Sequence, residues 1–338
     1  MEELNAYLGG GRMPVITYRE ALTQALREEM RRDNRVLIMG EDVVDYGGAY
    51  GVTRGLAQEF GEKRVKDTPI AEGGIVGVAI GCAMGGLRPV AELMTINFAL
   101  LAADQIINHA AKIRYMFGGQ ASVPLVIRTV GGAGAQLAAT HSQNLEVMFA
   151  HVPGLKVIAP ATPRDAKGLL KAAIRDDNPV LFVEHALLYG TKGEVPEGEY
   201  TIPIGKAEVK REGRDLTILA YSRMTLVALE AATRLAAEGF EAEVIDLRTL
   251  RPLDVETIVS SVKKTNRAVI VEEDWRSFGV GAEISSRIME LAFDYLDAPV
   301  QRVAAQEVPM PYSKKLEQAA LPQVEDVIRA VKGMLVPA

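Results

Sequence analysis

The chain alternates between short apolar runs and longer stretches of helical period. Val36-Leu-Ile-Met39 is a continuous apolar run ending at Gly40, the pattern of a strand buried on both faces. Pro89-Val-Ala-Glu-Leu93, Leu125-Val-Ile-Arg128, Lys156-Val-Ile-Ala159 and Val180-Leu-Phe-Val183 repeat it. Between them the spacing of apolar residues predicts helices over 74–85, 99–117, 143–150 and 163–175. Thr17-Tyr-Arg-Glu20 reads as a capping box that opens an earlier helix, with Leu22, Ala25, Leu26 and Met30 on one face. Strand and helix in strict alternation predict parallel strands joined by crossover helices, hence an α/β sandwich.

The rhythm breaks after Glu184. Residues 190–214 are rich in Gly, Pro, Glu and Lys, with a β-like stretch over 200–204, and read as a linker region. Alternation resumes with Leu216-Thr-Ile-Leu219, Ala242-Glu-Val-Ile-Asp246 and Ala268-Val-Ile-Val271. The expected organisation is an extension over 1–14, an α/β domain over 15–189, a linker over 190–204 and a second α/β domain over 205–338, both with mainly parallel sheets. A length of 338 residues agrees with two domains at about 150 residues each.

Composition narrows the function more than the fold. Lys+Arg 38 against Asp+Glu 44 gives a net charge of -6, so neither a nucleic-acid footprint nor a polybasic membrane anchor is present. The apolar run over 73–87 is shorter than the about 20 residues a membrane-spanning helix needs. The start of the chain carries Glu2 and Glu3 without an apolar core, unlike a secretory signal, so a cytoplasmic protein is expected. Cys82 is the single cysteine, which excludes an intramolecular disulfide and a cysteine-rich zinc site.

Several segments could carry chemistry, each with a plainer reading beside it. Gly279-Val-Gly281-Ala-Glu-Ile lacks the third glycine of a dinucleotide fingerprint and reads as a helix start packed on a sheet. A P-loop is absent. In Asp67-Thr-Pro-Ile-Ala-Glu72-Gly-Gly, Glu72 opens an apolar, glycine-rich helix. It is either a first-turn acid favoured by the helix dipole or a partly buried carboxyl that shares its proton with a ligand nitrogen. Gly131-Gly-Ala-Gly134 reads as a loop over a site. It leads to Thr140-His141-Ser-Gln143, where His141 is either a proton donor or part of a polar cap. Phe98, in Met94-Thr-Ile-Asn-Phe98, follows a strand and can stack on a planar ring or fill the core. Asp176 and Asn178 end a helix where carbonyl and carboxylate oxygens suit a cation, or merely cap a turn.

These segments together carry a family resemblance. Gly40-Glu-Asp, Gly51-Val-Thr-Arg-Gly55-Leu, Asp67-Thr-Pro-Ile-Ala-Glu72 and Gly86-Leu-Arg-Pro-Val-Ala-Glu92-Leu-Met are joined by Asp104-Gln-Ile-Ile-Asn108, His141-Ser-Gln, Pro153-Gly-Leu-Lys-Val157 and Val244-Ile-Asp-Leu-Arg-Thr249. From about residue 15 to 335 the chain resembles beta subunits of the thiamine-diphosphate-dependent first component of 2-oxoacid dehydrogenase complexes. Val308-Pro-Met-Pro-Tyr312 leans to the pyruvate dehydrogenase branch, and Tyr115-Met-Phe-Gly-Gly119 keeps an acetoin branch alive beside the branched-chain one.

The resemblance implies a transketolase-like pyrimidine-binding domain followed by a transketolase C-terminal-like domain. It implies an alpha subunit partner in an alpha2beta2 heterotetramer, with thiamine diphosphate shared between subunits and Mg²⁺ held by the alpha subunit. Glu72 would hydrogen-bond the aminopyrimidine ring, with Ile70, Met94 and Phe98 around it, and His141 would serve transfer to lipoyl on the dihydrolipoyl acyltransferase core. Leu125, Ala173, Ile174, Asp176 and Asn178 would hold a structural potassium ion. The rival classes are a nucleotide-dependent dehydrogenase, which the incomplete fingerprint disfavours, and a non-catalytic assembly subunit.

Overall fold

The computed structural model describes residues 13–335, so the expected extension over 1–14 lies almost wholly outside the described residues. Strands β1 (Val15–Thr17), β2 (Val36–Gly40), β3 (Val65–Asp67), β4 (Arg88–Glu92), β5 (Val126–Gly131), β6 (Lys156–Ile158), β7 (Val180–His185) and β8 (Lys192–Glu194) come from the first half. The second half supplies β9 (Glu208–Arg211), β10 (Leu216–Ala220), β11 (Ala242–Asp246), β12 (Thr249–Arg251), β13 (Ala268–Trp275) and β14 (Gln301–Ala305).

A seven-stranded sheet runs in the order β12-β6-β7-β5-β4-β2-β3 and a five-stranded sheet in the order β14-β13-β10-β11-β9. Apart from β12 and β9, every neighbour in both sheets is parallel. The strands read as apolar runs because helices cover both faces, and β2 and β10 are buried at every position.

Helix starts follow local chemistry. At the helix Tyr18–Arg32 the Thr17 hydroxyl accepts the Glu20 N–H at 3.2 Å, and the Glu20 carboxylate accepts the Thr17 N–H at 2.7 Å. At the helix Pro163–Arg175, Thr162 accepts the Asp165 N–H while Pro163 takes the first-turn position that needs no donor. These two helices pack together on one face of the larger sheet.

Four segments depart from the sequence expectation. The stretch over 99–117 is not one helix but tight turns over Ile96–Ala102, a wide π turn over Gln105–Ala110 and an α-helix over Ala111–Met116. Apolar periodicity does not separate these registers. The helix expected over 143–150 is confined to Glu146–Ala150, because Gln143 and Asn144 tie down the preceding loop instead. In the linker, β8 pairs antiparallel with β1, and the β-like stretch over 200–204 forms no strand. There Ile202 packs over Gly168, where an added Cβ would lie 2.7 Å from the Ile202 side chain. Finally, β12 leaves the second half and edges the first half's sheet, antiparallel to β6.

One charge cluster sits inside the larger sheet. Arg128 on β5 is 2% exposed and donates to Glu92 of β4 at 2.6 Å and to both oxygens of Glu184 of β7 at 2.7 and 2.8 Å. The Tyr189 hydroxyl donates to the same Glu184 carboxylate at 2.6 Å. The fork geometry satisfies the guanidinium with two carboxylates in a dry setting. Removing the cation strands two buried acids, so Arg128→Met is expected to cost about 3–5 kcal/mol, read as a lowered urea midpoint for unfolding.

Candidate active site at one edge of the larger sheet

Because β2, β3, β4 and β5 are mutually parallel, their carboxyl ends emerge at one edge of the sheet. Loops from that edge carry most of the candidate residues, in the position where open α/β sheets bind ligands. Glu41 follows β2. Ile70 and Glu72 follow β3. Met94 and Phe98 follow β4, and His141 follows β5. The first two loops are tied together, since Thr68 N–H donates to the Gly40 carbonyl at 2.9 Å and Val44 N–H to the Asp67 carboxylate at 2.8 Å.

Glu72 begins the helix Glu72–Met84 and is 4% exposed, whereas Ile70 just before it is 81% exposed. Glu41 is buried close to Glu72. Burial first and the Glu72 charge second push the Glu41 carboxyl above its ordinary range, and its Oε1 has no protein partner. Phe98 and Met94 are half-buried on the same edge. His141 is exposed and meets the Phe98 ring edge-on, with centroids 5.3 Å apart at 84°. The Thr140 hydroxyl lies 2.8 Å from His141 Nδ1.

This edge can therefore present a buried acid, a second acid whose carboxyl lies above its ordinary range, an apolar wall and an imidazole. Glu41 had a usable sequence signal, an acid directly after a buried strand, yet its pairing with Glu72 depends on two strands meeting in space. A cavity of about 550 Å³ lined by His151, Arg251, Phe278 and Arg287, among others, shares none of these residues.

The five residues expected around a cation converge elsewhere, at the opposite ends of β5 and β7. Arg88 Nη1 donates to the Ile174 and Asp176 carbonyls at 3.0 and 3.1 Å. The Leu125 carbonyl receives Val180 N–H, and the Ala173 carbonyl receives Asp176 N–H. The Asp176 carboxylate is bonded by Asn178 and Lys156. A guanidinium thus already covers two of these oxygens. Among the described residues no group of three or more His, Cys, Asp or Glu is arranged to hold a metal ion. The glycine pair at 279 and 281 is likewise filled from within, because Gly281 N–H donates to the Glu272 carboxylate at 2.7 Å.

Residues 15–192 match the model of the transketolase pyrimidine-binding domain, and residues 205–327 that of the transketolase C-terminal domain. The chain is 55% identical over 317 residues to the pyruvate dehydrogenase E1 component subunit beta of Rickettsia felis, covering 94% of this chain and 97% of the relative. It belongs to the family of pyruvate dehydrogenase E1 beta subunits. The mitochondrial member from Bos taurus is 53% identical over 325 residues, covering 95% of this chain and 90% of that protein. A solved split gene transketolase, an inactive beta4 tetramer, superposes with a TM-score of 0.80 at 27% identity, over 95% of this chain and 98% of that one. The structure accordingly has the two-domain α/β architecture of the family.

Behind the His141 loop lies a second acidic pair. Burial, followed by the charge of Asp274, pushes the Glu146 carboxyl up to about 8, and burial raises Asp274 as well. Between its ordinary value of 4.5 and about 8, the folded chain holds a proton on Glu146 that the unfolded chain has released. Stability contributed here is therefore present below pH 4.5 and falls as pH rises through that window. The apparent melting temperature is expected to drop between pH 5 and pH 8, with a flatter profile in Glu146→Gln, as differential scanning fluorimetry would measure.

Proposed function

We propose that this chain supplies the aminopyrimidine half of a thiamine diphosphate site, completed by an alpha subunit, in the oxidative decarboxylation of pyruvate. The observation that carries the reading is Glu72, buried at a helix start beside a second acid, in a chain of this family. The residues fit the group. The unpartnered Glu41 oxygen and the buried Glu72 carboxyl offer a polar end for a pyrimidine, and Phe98 and Met94 offer a flat apolar wall. The chain lacks the Gly-Asp-Gly motif that grips a diphosphate, so the alpha subunit would hold that end and its Mg²⁺.

When bound, thiamine diphosphate supplies the electron sink for decarboxylation. Glu72 would hydrogen-bond a pyrimidine nitrogen and pass a proton across that bond. His141 would give a proton during transfer of the acetyl unit to lipoyl on a dihydrolipoyl acyltransferase core.

The surface supports a partner on this side. Ile70, Val78, Leu101, Tyr115 and Met116 are exposed on the helix Glu72–Met84, its lead-in and the adjoining segments over 96–116. Large exposed apolar areas mark interaction surfaces. An alpha2beta2 heterotetramer is the assembly proposed. A cytoplasmic setting completes the reading, and among the described residues no helix is long and apolar enough to cross a membrane.

A potassium ion is proposed among Leu125, Ala173, Ile174, Asp176 and Asn178; at the Ile174 and Asp176 carbonyls it would take the place of the Arg88 guanidinium. The melting temperature is expected to be higher in potassium chloride than in choline chloride of equal ionic strength, and equal values would remove the ion from the reading.

The central test is the purified heterotetramer with Glu72→Gln. Decarboxylation of pyruvate, followed with an artificial electron acceptor, should fall by roughly 10²-fold or more with the assembly intact by size-exclusion chromatography. Near-normal turnover would sink the assignment and leave an assembly role. Running pyruvate, branched-chain 2-oxoacids and acetoin side by side on the wild-type complex decides between the family's branches.

A further inference from the structure

The loop that carries His141 is held by two carboxylates from the other half of the chain. Ala133 N–H donates to Glu273 at 2.7 Å. Gly134 N–H donates to Glu317 at 2.9 Å, and Gln136 N–H donates to the same carboxylate at 3.1 and 3.3 Å. The two acids are not alike. Glu273 also bonds His185 Nε2 at 3.0 Å and Arg223 at 3.1 Å, so it belongs to a charge cluster of its own.

Glu317 has no such company. It is 1% exposed in the helix Lys314–Ala320, and among the described residues no cation pairs with it. Its side-chain partners are the two loop amides. A dry carboxylate without a cation persists where backbone N–H groups converge on it, as they do in an anion-binding nest. The loop in turn needs an outside hold, because Gln136 and Ala138 adopt left-handed φ values of 58° and 62°, which side-chain-bearing residues disfavour. Two residues after Gln136 begins the short helix Ala138–His141. Ala133 is fully buried against Met310, Ala320 and Leu321, so the loop and the helix bearing Glu317 share one contact.

We propose that Glu317 is a positioning residue for the chemistry at His141: its carboxylate pins the Gly134 and Gln136 amides and so sets where the imidazole stands. The second domain then takes part in the transfer step rather than serving assembly alone. This rests on the reading of His141 as a site residue.

The test uses the assembled, cofactor-loaded heterotetramer carrying Glu317→Gln, which keeps the shape and removes the charge, with Glu317→Ala as a second variant. Hydrogen–deuterium exchange should quicken over residues 132–141 in both, and unchanged exchange would overturn the anchor. Transfer to a lipoyl domain should slow by roughly 10- to 100-fold in kcat, the scale expected of a misplaced group, while artificial-acceptor decarboxylation stays within about 2-fold. Glu317→Gln added to His141→Ala should slow transfer no further, because both changes act through one group. A multiplied loss would overturn the proposal. Normal transfer by His141→Ala alone would sink the site reading and the positioning role together, and the exchange measurement separates that result from failure of the anchor.

Discussion

Arg128, within β5, binds the carboxyl ends of the two flanking strands β4 and β7 through two buried acids, and the candidate site hangs from that point. Glu92, Arg128 and Glu184 lie on β4, β5 and β7, close to where the chain leaves the sheet toward Met94, Phe98 and His141. Glu92 reaches further still. A Cβ placed on Gly48 would collide with its carboxylate, so the loop that carries Glu41 folds directly over it. A buried ion cluster is weak as a source of net stability, but it discriminates sharply between registers, since a strand shifted by one residue would leave charges unpaired. The same interaction that fixes the sheet thereby fixes the spacing of the loops that meet above it.

Much of this was legible along the chain, for a reason particular to parallel sheets. Strands buried on both faces are mostly apolar, so the apolar stretches of β2, β5, β7, β10 and β11 stand out by composition. The helix start at Thr17 is written in four residues because a capping box is local. Short edge strands such as β3 and β12 are invisible by the same logic, having three residues each and polar positions among them. The stretch over 99–117 misleads because a helix that widens by one hydrogen bond keeps its apolar face.

The site divides along the same line. Glu72, Phe98 and His141 sit in recognisable local motifs, each at a strand's exit. Glu41 and Glu317 do not announce themselves, because what makes each unusual is a partner distant in sequence. Glu317 lies 181 residues from Gln136, and nothing near it distinguishes it from a surface acid of an amphipathic helix. A glycine motif can mislead in the opposite direction. Gly279 and Gly281 look suited to a phosphate, but the close approach they permit is already used by Glu272, whose carboxylate stands where an anionic ligand would.

The exposed apolar face around Ile70 and Tyr115 bears on how the protein must be made. With Tyr115 at 89% and Ile70 at 81% exposure, a chain released from the ribosome without its counterpart carries a wetted adhesive surface. Copies left uncovered would be drawn into self-association through it. If the proposed alpha subunit covers this face, matched synthesis of the two chains would be a demand of surface chemistry, and the ratio of their translation would bear on how long this one stays dispersed.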